Sequence, residues 1–97
     1  MLSYSDLYDI LRKEKSGPVL QSLDKKFIAD YSEYTSELAG KSANMDNLFA
    51  DSAIKSKKQL ENSVAIFREL MLIRKRKMLN LVFVAAETGI MKRDYEN

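Results

Sequence analysis

The chain contains no cysteine and no histidine among its 97 residues. Disulfide bonds, zinc sites with sulfur or imidazole ligands, cysteine nucleophiles and histidine general bases are therefore excluded. The lack of cysteine is common in intracellular proteins, and the N-terminus shows neither a basic leader nor a continuous apolar stretch. We therefore expect a cytoplasmic protein that carries no signal peptide.

Glycine and proline are scarce as well, with three and one respectively, whereas hydrophobic residues make up 45% of the chain. This composition is typical of an ordered, helix-prone protein. A membrane span needs about 20 apolar residues, but the most apolar stretch, residues 78 to 86, is far shorter and contains Asn80. A strand at residues 81 to 86 is the less favoured alternative, because it would have no partner strand. We therefore predict an all-α protein.

The first predicted helix has the i, i+3, i+4, i+7 spacing of one helical face. That face comprises Tyr4, Leu7, Tyr8 and Leu11. Ser3 precedes the face and Asp6 follows Ser3 by three positions, which is the pattern of a capping box. Gly17 and Pro18 end the helix after about twelve residues, because proline cannot continue the hydrogen-bond ladder.

A second helix is predicted to begin after Asp24, a good N-cap residue, and to end near Gly40. Its apolar stripe comprises Phe27, Tyr31, Tyr34 and Leu38. The stretch from residue 40 to residue 52 is rich in small and polar residues. We predict a loop there with one packed turn, formed by Met45, Leu48 and Phe49.

A long helical pattern runs from about Ala53 to Gly89, which we predict to be the C-terminal cap. After residue 77 it is apolar in nearly all directions, more than two short helices of a small domain can cover. We therefore predict a small bundle of two shorter amphipathic helices and a long C-terminal helical region that associates with other subunits through helix packing. The residues predicted to be buried between helices or between subunits are Leu60, Val64, Phe67, Leu70, Met71, Leu79, Val82 and Phe83.

Charge is unevenly distributed along the chain. Residues 55 to 77 carry eight Lys and Arg against two Glu, a net charge of +6, whereas residues 1 to 54 carry a net charge of −3. One interpretation is a solvated helix surface between two buried stretches; the other is contact with phosphate or with an acidic partner. The candidate contact residues are Lys55, Lys57, Lys58, Arg74, Lys75, Arg76 and Lys77. A small basic helical DNA-binding protein is therefore the alternative function.

No catalytic pattern is visible. The acidic pairs Asp6 and Asp9, and Glu33 and Glu37, have helical spacing, but no second acidic set converges on either. A glycine-rich phosphate loop is also missing. We expect neither enzymatic activity nor a metal or cofactor.

Three stretches together are similar to a known family. They are YSDLYDILRKEKSG at residues 4 to 17, SLDKKFIADYSEYTSEL at 22 to 38 and FRELMLIRKRKMLNLVFVAAETG at 67 to 89. Their order and spacing resemble the helical domain of archaeal GINS subunits, although Asp24 stands where a proline is common in that family. GINS is a tetrameric replication factor that works with the replicative helicase.

The resemblance implies a non-enzymatic scaffold subunit of the replisome. Its partners would be other GINS subunits, in a homotetramer or a heterotetramer, together with the replicative helicase and associated replication proteins. Residues 1 to 91 would form the helical domain and residues 92 to 97 the start of a linker. The β domain that follows in such subunits is not part of this sequence.

Overall fold

A computed structural model describes the backbone of residues 1–43 and 50–96 and the side chains of residues 1–43 and 51–89. Within these ranges the chain forms three helices and no strand: α1 (Tyr4–Lys15), α2 (Phe27–Ala43) and α3 (Ala50–Glu96). The predicted all-α bundle is confirmed, since α1 and α2 both pack against α3. The molecule measures 75 × 21 × 16 Å, because a helix as long as α3 extends about 70 Å.

The first helix begins and ends where the sequence predicts. Ser3 Oγ accepts a hydrogen bond from the Asp6 N–H at 3.1 Å, and the Asp6 carboxylate accepts one from the Ser3 N–H at 3.1 Å. This reciprocal capping box satisfies two of the donors that a helix start leaves free. The helix has 12 residues and ends at Lys15, before Gly17 and Pro18.

The start of α2 follows the prediction, but its end does not. The Asp24 carboxylate accepts a hydrogen bond from the Lys26 N–H at 2.9 Å, and the Asp24 carbonyl accepts one from the Phe27 N–H at 3.0 Å. The predicted end near Gly40 is wrong, because α2 continues to Ala43. Glycine ends a helix where it adopts a positive φ, and no described glycine does so. The turn predicted at Met45, Leu48 and Phe49 lies outside the described residues.

The long helix α3 exceeds its predicted limits at both ends. It begins at Ala50 instead of Ala53 and continues through Gly89 to Glu96. The prediction that Gly89 ends the helix is wrong for the same reason as at Gly40. The helix therefore also passes residue 91, the predicted end of the helical domain. Residues 81 to 86 are helical, which excludes the strand alternative.

The hydrophobic core lies where α1 and α2 meet the middle of α3. Four residues form its buried centre, and partly buried side chains such as Ile66, Phe67 and Met71 surround them. The four are Leu7, Leu11, Phe27 and Leu70. Tyr8, predicted for the same face of α1 as Leu7, is instead 53% exposed. The core thus fixes α1 and α2 on one side of α3.

An aromatic stack and a hydroxyl pair join α2 to α3. The ring centroids of Tyr31 and Phe67 lie 4.0 Å apart with nearly parallel planes, and Phe27 stacks against both rings. Tyr34 Oη lies 3.1 Å from the Oγ of the fully buried Ser63. Because the single Ser63 hydroxyl proton is donated to the Gln59 carbonyl at 2.7 Å, Tyr34 is the donor of this bond. Among the described residues, every buried side-chain nitrogen and oxygen has a hydrogen-bond partner.

Candidate functional site

The most unusual surface of the molecule is the part of α3 that extends beyond the other two helices. We call residues 78 to 89 the projecting segment. Every one of these residues is exposed, including Val82 at 64% and Phe83 at 66%. The segment is about 18 Å long, and most of its side chains are apolar. A contiguous apolar surface of this kind is typical of a protein interaction site.

The eight residues predicted to be buried fall into two groups. Five of them pack within the chain, and of these Leu70 is fully buried whereas the other four are partly buried. These five are Leu60, Val64, Phe67, Leu70 and Met71. The remaining three, Leu79, Val82 and Phe83, are exposed, so the chain's own helices do not bury them.

The exposed apolar residues of α3 lie on two sides of the helix. One set faces away from α1 and α2, and we call it the outer face. It consists of Leu72, Leu79, Val82 and Phe83, all at least 49% exposed. Leu81 is two positions from Leu79 and therefore points about 200° away around the helix axis. Asn80 and Glu87 separate the two sides along one edge.

Leu81 forms one wall of a groove at the base of the projecting segment. The opposite wall is the connector between α1 and α2. We call this depression the connector groove, and it is lined by Pro18, Val19, Leu20, Lys77, Asn80 and Leu81. Val19 and Leu81 are both more than half exposed at its rim.

A buried ion network holds the connector against α3. The Glu14 carboxylate is fully buried, and it accepts hydrogen bonds from Arg74 Nη1 at 2.8 Å and from Lys77 Nζ at 2.6 Å. Lys77 Nζ also donates to the Glu14 carbonyl at 2.6 Å and to the Val19 carbonyl at 2.8 Å. Arg74 reaches the Gln21 carbonyl at 2.6 Å. Two cations of α3 therefore bind both the last turn of α1 and the connector.

The electrostatics of the network favour the ionised form of Glu14. Burial raises the pKa of this carboxyl, but hydrogen bonds from Lys77, the Gln21 N–H and Arg74 outweigh burial, so the pKa lies below its ordinary value of 4.5. All three protons of the Lys77 ammonium are used, on two carbonyls and one carboxylate. The positive charge also lies at the C-terminal end of α1, where it complements the helix dipole.

The seven candidate phosphate-contact residues do not form one surface. Arg74 and Lys77 point inward and are only 14% and 12% exposed, because Glu14 binds them. Lys75 and Arg76 lie on the exposed side of α3. The third group, Lys55, Lys57 and Lys58, is exposed near the other end of the helix, about 25 Å away.

Several residues of this site were not predicted from the sequence. Glu14 was not a candidate, although Arg74 and Lys77 share one face of a helix at i, i+3 spacing and so could meet one carboxylate. Leu72 and Leu81 were visible as apolar positions, but their opposite directions become informative only when α1 and α2 are placed. The apolar connection at Val19 and Leu20 is visible in the sequence, but its position beside Leu81 was not predicted.

The chain matches no family model, no curated protein and no solved structure in the comparisons made. Among the described residues, no three acidic, histidine or cysteine side chains are grouped so as to hold a metal ion. The described helices also contain no stretch that is both apolar enough and long enough to cross a membrane.

Proposed function

We propose that the chain is a non-enzymatic assembly subunit that joins other subunits through the outer face of α3. The exposed projecting segment carries this proposal. Burying the exposed half of a leucine, valine or phenylalanine side chain contributes on the order of 1 kcal/mol. A symmetric pair covers the outer face twice, once on each copy, so Leu72, Leu79, Val82 and Phe83 together supply several kcal/mol of driving force.

Charge at the edge of the outer face favours an antiparallel pair of α3 helices. Arg76 and Glu87 are eleven positions apart, about three helical turns, and so lie on the same edge. In an antiparallel pair with its centre near Val82, that edge meets the same edge of the partner in reverse order. Arg76 of one copy then lies near Glu87 of the other, and the contact occurs twice. A parallel pair brings no such opposite charges together.

Light scattering on the 97-residue chain tests self-association. We expect a mass of at least twice the 11.1 kDa of one chain at tens of micromolar, and a smaller mass for the double variant Leu79→Ser, Phe83→Ser. The matched control is Ile54→Ser, since Ile54 is 61% exposed on the same helix but far from the projecting segment. A monomeric unaltered chain would refute the proposal.

Charge reversal tests the orientation. Arg76→Glu should weaken association because it places two carboxylates opposite each other, and Glu87→Arg should weaken it for the converse reason. The double variant restores an opposite pair, so its dissociation constant should return towards that of the unaltered chain. If the double variant associates no better than either single variant, the antiparallel pairing is wrong.

The resemblance to archaeal GINS subunits suggests which assembly this is. A long helix on which two shorter helices pack, together with surplus apolar surface, is consistent with a scaffold of the replication machinery. We propose on this basis that the chain is the helical domain of a GINS subunit. Co-purification with the replicative helicase and the other GINS subunits of the source organism is the test. The double variant Leu79→Ser, Phe83→Ser should no longer co-purify with the sister subunits, whereas the Ile54→Ser control should still do so.

Binding to DNA is the weaker proposal. Glu14 neutralises part of the basic run, since it engages Arg74 and Lys77, and the remaining exposed cations are divided between two distant sites on α3. A titration with duplex DNA at several salt concentrations decides between the two proposals. Sub-micromolar affinity near physiological ionic strength, falling steeply with salt, would favour DNA binding over the scaffold function.

A further inference from the structure

We infer that the connector groove is a second subunit contact, separate from the outer face, and that it receives the projecting segment of another copy of this chain. This inference rests on the proposed self-association. It adds a second surface, on the opposite side of α3, and assigns the α1–α2 connector a role in assembly.

The connector groove lies on a different side of α3 from the outer face, so a different neighbouring chain must occupy it. Leu79 and Leu81 point about 200° apart around the axis of α3. A single partner helix covers an arc much narrower than this, so a helix packed on Leu79 leaves Leu81 exposed. The groove therefore stays open after the outer-face pair has formed.

The chemistry of the groove selects an apolar occupant. Its rim is formed by Val19 and Leu81, and its single charged group is Lys77. All three Lys77 donors are already bound to Glu14 and to the Val19 carbonyl. A phosphate or carboxylate ligand would have to displace these bonds, whereas leucine and valine side chains would bury the rim without doing so.

The projecting segment itself supplies suitable side chains. Leu81 and Val84 are three positions apart, lie on one side of α3 and are both more than half exposed. Other large exposed hydrophobic residues of the described surface, such as Ile28 and Ile54, lie far from this segment. When the α3 helices of two copies pack antiparallel through this side, Leu81 of each copy lies opposite Val84 of the other. Each connector then lies against the segment of its partner near Thr88.

The available area also calls for a second surface. The outer face, from Leu72 to Phe83, is about 18 Å long and about 10 Å wide, whereas a stable interface buries about 800 Å² on each partner. The outer face alone falls well short of that area. The connector groove adds apolar surface from outside α3, and its rigid attachment through Glu14 lowers the entropy lost on binding.

The masses of single variants, measured by light scattering, test whether the connector groove is a contact between subunits. At a concentration where the unaltered chain is associated, Val19→Ser and Leu81→Ser should each reduce the mass towards that of a pair of chains, because the groove contact is lost and the outer-face contact remains. The control is Ile28→Ser, since Ile28 is 57% exposed and Leu81 is 56% exposed, and its mass should not change. Circular dichroism checks that each variant keeps its helix content.

The outcomes separate the groove from the outer face. If Val19→Ser and Leu81→Ser keep the mass of the unaltered chain while Leu79→Ser, Phe83→Ser lowers it, the groove inference is overturned and the proposed function stands. A monomeric unaltered chain overturns both.

Disulfide trapping gives a direct second measurement, because the chain has no cysteine of its own. A mixture of Val19→Cys and Thr88→Cys chains should form disulfide-linked heterodimers under mild oxidation. A mixture of Ile28→Cys and Thr88→Cys chains should form far fewer. Equal yields in the two mixtures would show that Val19 is not adjacent to the neighbouring segment, and would overturn the inference.

Discussion

Replacing Glu14 with glutamine tests whether the buried ion network holds α1 and the connector on α3. Glutamine has nearly the same size and can still accept a hydrogen bond, but it carries no charge. The guanidinium of Arg74 and the ammonium of Lys77, 14% and 12% exposed, would remain almost buried without a counter-charge. Their hydrogen bonds to the carbonyls of residue 14, Val19 and Gln21 would remain possible.

The expected loss follows from this burial. Removing one partner of a buried ion pair costs about 3–5 kcal/mol, because the remaining charge has lost water without a compensating partner. The carbonyl acceptors that remain place Glu14→Gln near the lower limit, at about 3 kcal/mol. That is a large share of the roughly 5–15 kcal/mol that stabilises a small domain.

A second ion pair between the same two helices provides the control. Lys15 Nζ and Glu69 Oε1 also join α1 to α3 at 2.6 Å, but their side chains are 52% and 46% exposed. Exposed pairs contribute about 0–1 kcal/mol, because water screens them and both side chains lose conformational freedom. Glu69→Gln should therefore lower the free energy of unfolding by less than about 1 kcal/mol.

Urea unfolding at pH 7, followed by circular dichroism, measures both changes. All chains must be compared at one protein concentration, because self-association adds to the apparent stability. Similar losses for Glu14→Gln and Glu69→Gln, or a loss below about 1 kcal/mol for Glu14→Gln, would refute the reasoning. Burial would then not decide the strength of the two ion pairs.

Three further results are expected. The pKa of Glu14 in the folded chain is below its ordinary 4.5, so its contribution to stability is complete above pH 4.5 and is lost as the pH falls through the folded pKa. In urea titrations, the difference in free energy of unfolding between the unaltered and Glu14→Gln chains should shrink over that range. Leu70→Ala should lower the free energy of unfolding by about 2–5 kcal/mol, because it leaves a cavity at the centre of the core. Gly40→Ala should raise the melting temperature, since a Cβ at this helical position meets no atom within 4 Å and alanine is favoured over glycine by about 1 kcal/mol; a lower melting temperature would contradict the helical assignment.

Local signals in the sequence were sufficient where the determining atoms are neighbours in the chain. The capping box of Ser3 and Asp6 and the start of α2 at Asp24 involve groups within three residues, and both were predicted. The glycine signals failed because a glycine permits a left-handed residue without requiring it. At Gly40 and Gly89 the helix continues, and neither position has a positive φ.

Long-range pairing could not be predicted in the same way. The helical pattern places Arg74 and Lys77 on one face, but their carboxylate lies sixty residues earlier in the sequence. Helical spacing places Glu14 on the same side of α1 as Leu7 and Leu11, and Asp9 on the opposite side, where it pairs with Arg12 at 3.3 Å. The local pattern therefore indicates which acid faces the core, but only the packing of α1 on α3 brings it to its two cations.

The four consecutive cations of α3 serve two different purposes, because a helix turns about 100° per residue. Arg74 and Lys77 return to the same side and are bound by Glu14, which fixes the connector. Lys75 and Arg76 point to the opposite side, beside the outer face. The inward pair therefore helps to hold α1 and the connector on α3, whereas in the proposed assembly Arg76 affects the orientation of a neighbouring subunit. The same basic run therefore contributes both to the folding of the chain and to its proposed assembly. Its net charge alone does not show which of its residues serve which purpose.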